Sequence, residues 1–296
     1  RSTLFPYTTL FRSVKFDILA VAHEHRFAVP AFNISSYSML RAVVDTCEEK
    51  RSPHIIAIHP DELSHIRPEM LASMVLIARK STVPTAIHLD HGATYGQVLL
   101  AIQSGFTSVM IDKSFAPFEE NIAETSRVVR AAHAVGVSVE AELGTIGVSD
   151  KYGETGSEEI LYTDPDDAER FIEATGADSL AIAIGTRHGL YPSEVKPALR
   201  LDLLAQIKER LGIPLVLHGG SNNSDKEIAG AVRGGINKIN ISSDIKAAYF
   251  QRMREVLQDP RLREPNAIEP PCEEALRRCA AQKIDLFESA GKADLF

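Results

Sequence analysis

Short runs of β-branched and apolar residues alternate with helix-forming stretches along almost the whole chain, and that alternation limits the possible folds more than any other feature. Eight runs stand out: Ala28 to Phe32, His54 to Ile58, Thr85 to Leu89, Ser108 to Ile111, Val137 to Ala141, Ser179 to Ile184, Pro214 to Leu217 and Ile236 to Ile241. Helical patterns follow most of them, as at Tyr37 to Lys50, Pro117 to Val135, Pro165 to Thr175 and Asp244 to Val256. Repeated strand-helix units cover both faces of a parallel sheet. Eight of them predict a (β/α)8 TIM barrel, here with an additional C-terminal helix from Cys272 to Gln282.

The polar residues are placed as a barrel would need. The C-terminal ends of the runs meet Asn33, His59, Asp90 with His91, Asp112, Glu142, His188, His218 and Asn240, whereas several run starts carry proline, at Pro53, Pro84 and Pro214. Barrel enzymes build their sites at the C-terminal face of the strands. A doubly wound open sheet would not gather side chains from nearly all strands at one point.

The chain of 296 residues suits one such domain. Arg1 to Ser13 has neither a Met start nor a signal-peptide layout and reads like a translated sequencing-library adapter, so the domain is expected to span 14–296. With 44% apolar residues a large core is possible, and no run reaches the roughly 18 apolar residues of a membrane span. The formal charge is −8, or about −10 without Arg1 and Arg12, which disfavours nucleic acid as a partner. A phosphate would have to be held locally. Cys47, Cys272 and Cys279 show neither metal-ligand spacing nor a disulfide framework, from which a reducing, cytoplasmic location is expected. Cys47 reads as core packing.

The chemistry concentrates in His88-Leu-Asp-His-Gly92, His188-Gly189 and His218-Gly219. A lone histidine is more often structural than a ligand. Three at matching places in three strand-helix units fit a metal with an open position, zinc being the best match. His88 can be a ligand or an outer support. Asp90, beside His91, suits proton transfer at a hydroxyl, with orientation of a histidine as its other possible role. His23, His25, His54, His65 and His133 read as surface or packing residues. Gly219-Gly220-Ser221 and Asn240-Ile-Ser242-Ser243 both lead into helices, where backbone N–H groups and hydroxyls suit an anion. They follow the last two strands, a common phosphate position in barrels.

These residues, with Val29-Pro-Ala-Phe-Asn33, Val139-Glu-Ala-Glu-Leu-Gly144, Tyr162-Thr-Asp-Pro165, Ala183-Ile-Gly-Thr-Arg-His-Gly189 and Lys238-Ile-Asn240, resemble the class II metal-dependent fructose- and tagatose-bisphosphate aldolases, from about Lys15 to Gly291. Leu190-Tyr191 after His188-Gly189 and the short loops look closer to the tagatose-type branch. The resemblance implies one Zn2+ on His91, His188 and His218 with Glu142 as an auxiliary contact, a monovalent cation as a further cofactor, and Asp90 acting at the substrate C4 hydroxyl. It also implies a small phosphorylated sugar held by Asn33, His59, Gly189, Gly219, Gly220, Ser221, Asn240, Ser242 and Ser243. The products would be dihydroxyacetone phosphate and an aldehyde. A homodimer or homotetramer is expected by analogy.

The sequence departs from that pattern at three places. The loop after Glu142-Leu-Gly144 places Asp150, with Glu154 as the other candidate, where a glutamate usually moves the proton on the triose carbon. His59 replaces a small Ser or Thr. Pro265 to Pro271 contains no arginine for the distal phosphate of a bisphosphate. No lysine at a suitable strand end favours a Schiff base, Lys113 and Lys238 being the near candidates. The alternative from another class is a catalytically inactive metal-binding barrel serving as a stabilising or regulatory subunit, against which the carboxylate of Asp90 weighs.

Overall fold

A computed structural model describes residues 15–148, 160–188, 198–221 and 223–296, with the side chains at 15–17, 68–69, 147–148 and 188 outside that description. Helix α1 (Lys15–His25) leads into strand β1 (Val29–Asn33) and helix α2 (Tyr37–Glu49). The next units are β2 (His54–Ile58) with α3 (Pro60–Lys80), β3 (Thr85–Gly92) with α4 (Tyr95–Gln103), and β4 (Ser108–Ile111) with α5 (Phe118–His133). Strand β5 (Ser138–Leu143) is followed by the short β6 (Gly147–Val148) and α6 (Pro165–Thr175), then β7 (Ser179–Ile182), the short β8 (Arg187–His188) and α7 (Leu201–Arg210). The described chain closes with β9 (Leu215–Leu217), α8 (Asp225–Gly234), β10 (Ile236–Ile241), α9 (Ser243–Val256), α10 (Pro265–Leu286) and a 3-10 turn at Lys292–Leu295.

Eight strands close into a barrel in the order β1-β2-β3-β4-β5-β7-β9-β10, with β10 returning to β1, and every pairing is parallel. The strands buried on both faces are rich in Ile, Val, Leu and Ala, as parallel strands covered by helices require. One core lies between the strands and the helices, with Phe32, Leu89, Val109, Phe171 and Leu217 among its buried members. A second, smaller cluster joins Ile18, Leu19 and Ala22 of α1 to Phe27, Val29, Ile55 and Ala86. It places α1 against the strand starts, so the strand ends are left to form the site.

Local chemistry fixes the helix starts. Ser36 caps α2, Asp164 caps α6 with Pro165 at its first position, and Thr94 forms a reciprocal capping box with Gln97 on α4. Helix α3 breaks at Arg67 (φ 66°, ψ 155°), immediately before Pro68.

Seven of the eight predicted strands match the observed ones to within two residues at each end, and the eighth, β3, runs three residues past the predicted Leu89 to Gly92. The C-terminal helix differs. It begins at Pro265 rather than Cys272 and runs through Pro270 and Pro271, since packing against α2 and α9 outweighs the two missing backbone donors. Arg41 reaching Glu273 and Ser38 donating to Glu269 at 2.5 Å tie that helix to α2.

Candidate metal and proton-transfer centre

The site begins with an irregularity at the end of β3. In a regular strand Asp90 and His91 would face opposite sides. Here the register with β4 shifts between Leu89 and Gly92, and His91 takes φ 47°, a left-handed conformation uncommon outside glycine. That turn brings both side chains to the same cluster. Gly92 permits it, because a Cβ there would stand 2.5 Å from the carbonyl oxygen of Met110 on β4.

Asp90 is fully buried, and two side-chain amides clamp its carboxylate. Asn33 Nδ2 donates to Oδ2 at 2.7 Å, and Asn240 Nδ2 donates to Oδ1 at 2.9 Å. Burial disfavours the charged form, but the nearby His91, Lys238, His218 and His88 prevail and hold the carboxyl well below its usual range. Asn33 Oδ1 and Asn240 Oδ1 have no hydrogen-bond partner among the described residues, leaving two buried acceptors beside Asp90.

Carboxylates orient the histidines. His91 Nδ1 lies 2.8 Å from Asp112 Oδ2, whose other oxygen accepts from Ser114 N and Oγ at 3.0 and 2.7 Å. His218 Nδ1 lies 3.1 Å from Glu142 Oε2, and its Nε2 lies 2.9 Å from Glu140 Oε1. The His91 and His218 rings meet edge to face with centroids 4.6 Å apart. Burial opposes a charged imidazole at both positions. At His91 the carboxylates of Asp90, Asp112 and Glu142 overcome that penalty, and at His218 those of Glu140 and Glu142 do so against a repulsive His91, so both pKa values are raised.

This donor set fits a divalent cation. Asp90, His91 and His218 present ligand atoms within 4.8 Å of one another, as do His91, Asp112 and Glu142. Four carboxylates converge here against one lysine, so neutral imidazoles would leave three negative charges for a cation to offset. With Nδ1–H turned to Asp112, His91 carries its lone pair on Nε2, the usual arrangement for a ligating histidine.

The other predicted residues are distributed unevenly. His88 lies one tier below Asp90, with Nδ1 2.8 Å from Ser108 Oγ and Nε2 3.9 Å from Glu140 Oε2. His59 caps α3, its Nδ1 accepting from Asp61 N at 3.3 Å, and its ring centroid is 6.1 Å from that of His91. Ser242 occupies the N-cap position of α9 without a side-chain cap bond, and Ser243 opens the helix. The Gly219–Ser221 turn lies against β10, since a Cβ at Gly220 would meet Asn240 O at 3.6 Å. Gly219 has φ 64° and packs over Arg187, where a Cβ would stand 2.6 Å from the carbonyl oxygen. That contact sets β8 beside His218. His188 therefore sits on the small β6/β8 sheet, paired with Val148, rather than directly on the end of β7 as the sequence suggested. The His188 side chain, Asp150, Glu154 and Gly189 lie outside the described residues.

Asp112 was legible as a strand-end polar residue without a role, Glu140 was not distinguished within its motif, and Lys238 stood out only as a Schiff-base candidate. Lys238 is fully buried, with Nζ 2.9 and 3.0 Å from the two oxygens of Glu140. A two-residue period was the available signal: Glu140 with Glu142, and Lys238 with Asn240, share one face of their strands. The structural readings of the other histidines agree with their contacts. His54 is buried at a strand start with its pKa pushed down to about 4 by desolvation, His133 pairs with Asp178, and His23 meets Asn237 and Lys208.

A closed parallel barrel whose strand ends collect imidazoles, carboxylates and a clamped aspartate defines a metal-assisted barrel enzyme. The chain belongs to the class II fructose-bisphosphate aldolases, whose sequence profile matches residues 15–292. It is 37% identical to a fructose-bisphosphate aldolase of Thermus caldophilus over 94% of this chain and 98% of that one. It is 38% identical to a fructose-bisphosphate aldolase of Geobacillus stearothermophilus over 94% and 97%. The crystal structure of the YdjI aldolase from Escherichia coli K12 superposes with a TM-score of 0.83 at 37% identity, covering 94% of this chain and 98% of that one. The protein is thus a carbon-carbon lyase of a metal-dependent family that cleaves a ketose phosphate to dihydroxyacetone phosphate and an aldehyde. Among the described residues no helix is long and apolar enough to cross a membrane.

Proposed function

We propose that the protein is a zinc-dependent ketose phosphate aldolase in which Asp90 moves the proton of the substrate C4 hydroxyl. The clamped, buried carboxylate between Asn33 and Asn240, in the same cluster as two histidines, carries this reading. Zinc would be held by His91, His188 and His218, with Glu142 as an auxiliary contact. When bound, it supplies Lewis-acid stabilisation of the charge that develops as C3–C4 breaks.

The protein's own groups carry the remaining steps. Asp90 accepts the C4 hydroxyl proton, the C4 oxygen becomes the aldehyde carbonyl, and the electron pair of the C3–C4 bond passes to the triose fragment. That fragment takes a proton on carbon, delivered by Asp150, and leaves as dihydroxyacetone phosphate. The acceptors Asn33 Oδ1 and Asn240 Oδ1 suit substrate hydroxyl donors. Gly189, Gly219, Gly220, Ser221, Ser242 and Ser243 hold the triose end, where the uncapped start of α9 offers backbone N–H groups to its phosphate. A homodimer or homotetramer and a tagatose-type substrate belong to the same reading.

The aldehyde half is the distinguishing part. The stretch Pro265 to Pro271 forms the first turns of α10, and its one charged residue, Glu269, accepts from Ser38. The arginines that flank this stretch in sequence each face a carboxylate, Arg261 with Asp259, Arg263 with Glu264, Arg277 with Asp45 and Glu49, and Arg278 with Glu274. His59, fixed by its capping role, stands near His91. The substrate therefore keeps the phosphate on the triose half, while its aldehyde half is unphosphorylated or of different length. Initial rates on ketose 1-phosphates and the matching 1,6-bisphosphates test this. The monophosphates should have the higher kcat/KM, and a strong bisphosphate preference would overturn this assignment.

A further inference from the structure

The buried pair Glu140 and Lys238 lies below the group that carries the proposed chemistry, and no step above uses it. Lys238 on β10 and Glu140 on β5 belong to strands separated by β7 and β9 around the barrel, so their contact spans the interior. Both side chains are fully buried. Such pairs are weak contributors to stability, because desolvation cancels most of the attraction and apolar replacements are often tolerated or favourable. A purely stabilising role therefore accounts poorly for a lysine placed inside a barrel.

The geometry offers a specific task. Lys238 Nζ bonds both oxygens of Glu140, at 2.9 and 3.0 Å, which fixes the carboxylate in one rotamer. The same Oε1 lies 2.9 Å from Nε2 of His218. A carboxylate held in this way accepts a proton donor and so places the hydrogen of a neutral His218 on Nε2. The Nδ1 edge of that ring then carries the lone pair. It faces Glu142, whose Oε2 is 3.1 Å from His218 Nδ1 and 4.0 Å from His91 Nδ1. His91 is set the other way, with Nδ1 committed to Asp112 at 2.8 Å.

We propose that Glu140 and Lys238 are positioning residues: the ion pair turns Nε2–H of His218 downward and presents its Nδ1 to the cation site, while Asp112 makes His91 present Nε2. This rests on the metal-dependent reading above. The two histidines thus offer opposite ring nitrogens, each chosen by a carboxylate on the β4 or β5 side of the barrel. Removing Lys238 frees the rotamer of Glu140, and removing both takes away the carboxylate at Nε2, so that Glu142 can hold the proton on Nδ1 instead.

The test replaces both members, Glu140→Met with Lys238→Met, and measures zinc affinity by competition with a chromophoric chelator together with the melting temperature of the metal-free protein. Loss of a group that orients a ligating histidine lowers metal affinity about 10–100-fold. The expected result is that loss with a melting temperature close to the parent's. Unchanged zinc affinity in the folded double variant would overturn the proposal. A second measurement does not need the variant to fold: in the zinc-loaded parent protein with 15N-labelled histidine, His218 should show a one-bond N–H coupling at Nε2. A coupling at Nδ1 instead would overturn it. Failure of the aldolase reading is separately visible, because zinc-loaded protein that releases no dihydroxyacetone phosphate leaves both the affinity and the NMR results intact.

Discussion

Gly92→Ala tests how the bulge at the end of β3 builds the site. The added Cβ would stand 2.5 Å from the backbone oxygen of Met110 and 2.9 Å from Leu89 Cδ2. A comfortable carbon–oxygen contact begins near about 3.3 Å, so the strand ends must separate by roughly 0.8 Å. Leu89 can rotate, but the Met110 carbonyl belongs to β4 and cannot. Overpacking of this kind costs about 1–3 kcal/mol, which in a domain of this size lowers the melting temperature by about 2–12 °C. The same displacement moves His91 and Asp90, so zinc affinity should fall as well. The assay is thermal unfolding in chelator, which removes the stabilisation that bound metal would add, followed by zinc titration. A variant that melts with the parent and binds zinc equally well would refute the link between this bulge and the site.

Three further outcomes follow from the site. Asp90→Ala should keep zinc and lower the rate of dihydroxyacetone phosphate release by about 10²–10⁴-fold, and turnover at the parent rate would remove Asp90 from the mechanism. Zinc has to displace the proton that the carboxylates hold on His91, so its affinity should decline as the pH falls through the raised pKa of that ring. Titration calorimetry in buffers of different ionisation enthalpy should register the released proton, and heats independent of the buffer would contradict it. In the metal-free protein, His91 adds stability that is complete below about pH 6.5 and is lost as the pH rises through its folded pKa. Asp90 and Asp112, held low, add stability above about pH 3.9 that is lost in acid. Melting temperatures across that range should form a plateau in mildly acidic buffer, and a steady rise into alkali would contradict it.

The barrel was legible because its signals are local. Each strand needs only a short apolar run, and each helix start a nearby cap, so the eight strands and α6 were found where they stand. His91, His218 and Asp90 were legible as strand-end residues, and the structure brings them together. What escaped depends on distance. Asn33 and Asn240 bond Asp90 across 57 and 150 residues of chain, and Lys238 meets Glu140 across 98, none of which a linear motif encodes. The shift of His188 onto β8 reflects a backbone excursion after Ile182 that no propensity signals. The first turns of α10 were missed because tertiary packing overrides two prolines.

In the proposed mechanism a cation at this centre and the carboxylate of Asp90 together break a carbon-carbon bond. The most direct measurement follows dihydroxyacetone phosphate release from a ketose 1-phosphate by one purified sample: as prepared, after chelation, and after zinc add-back. Release, its loss and its recovery should follow bound zinc in step. Release that persists after complete removal of metal would contradict the mechanism.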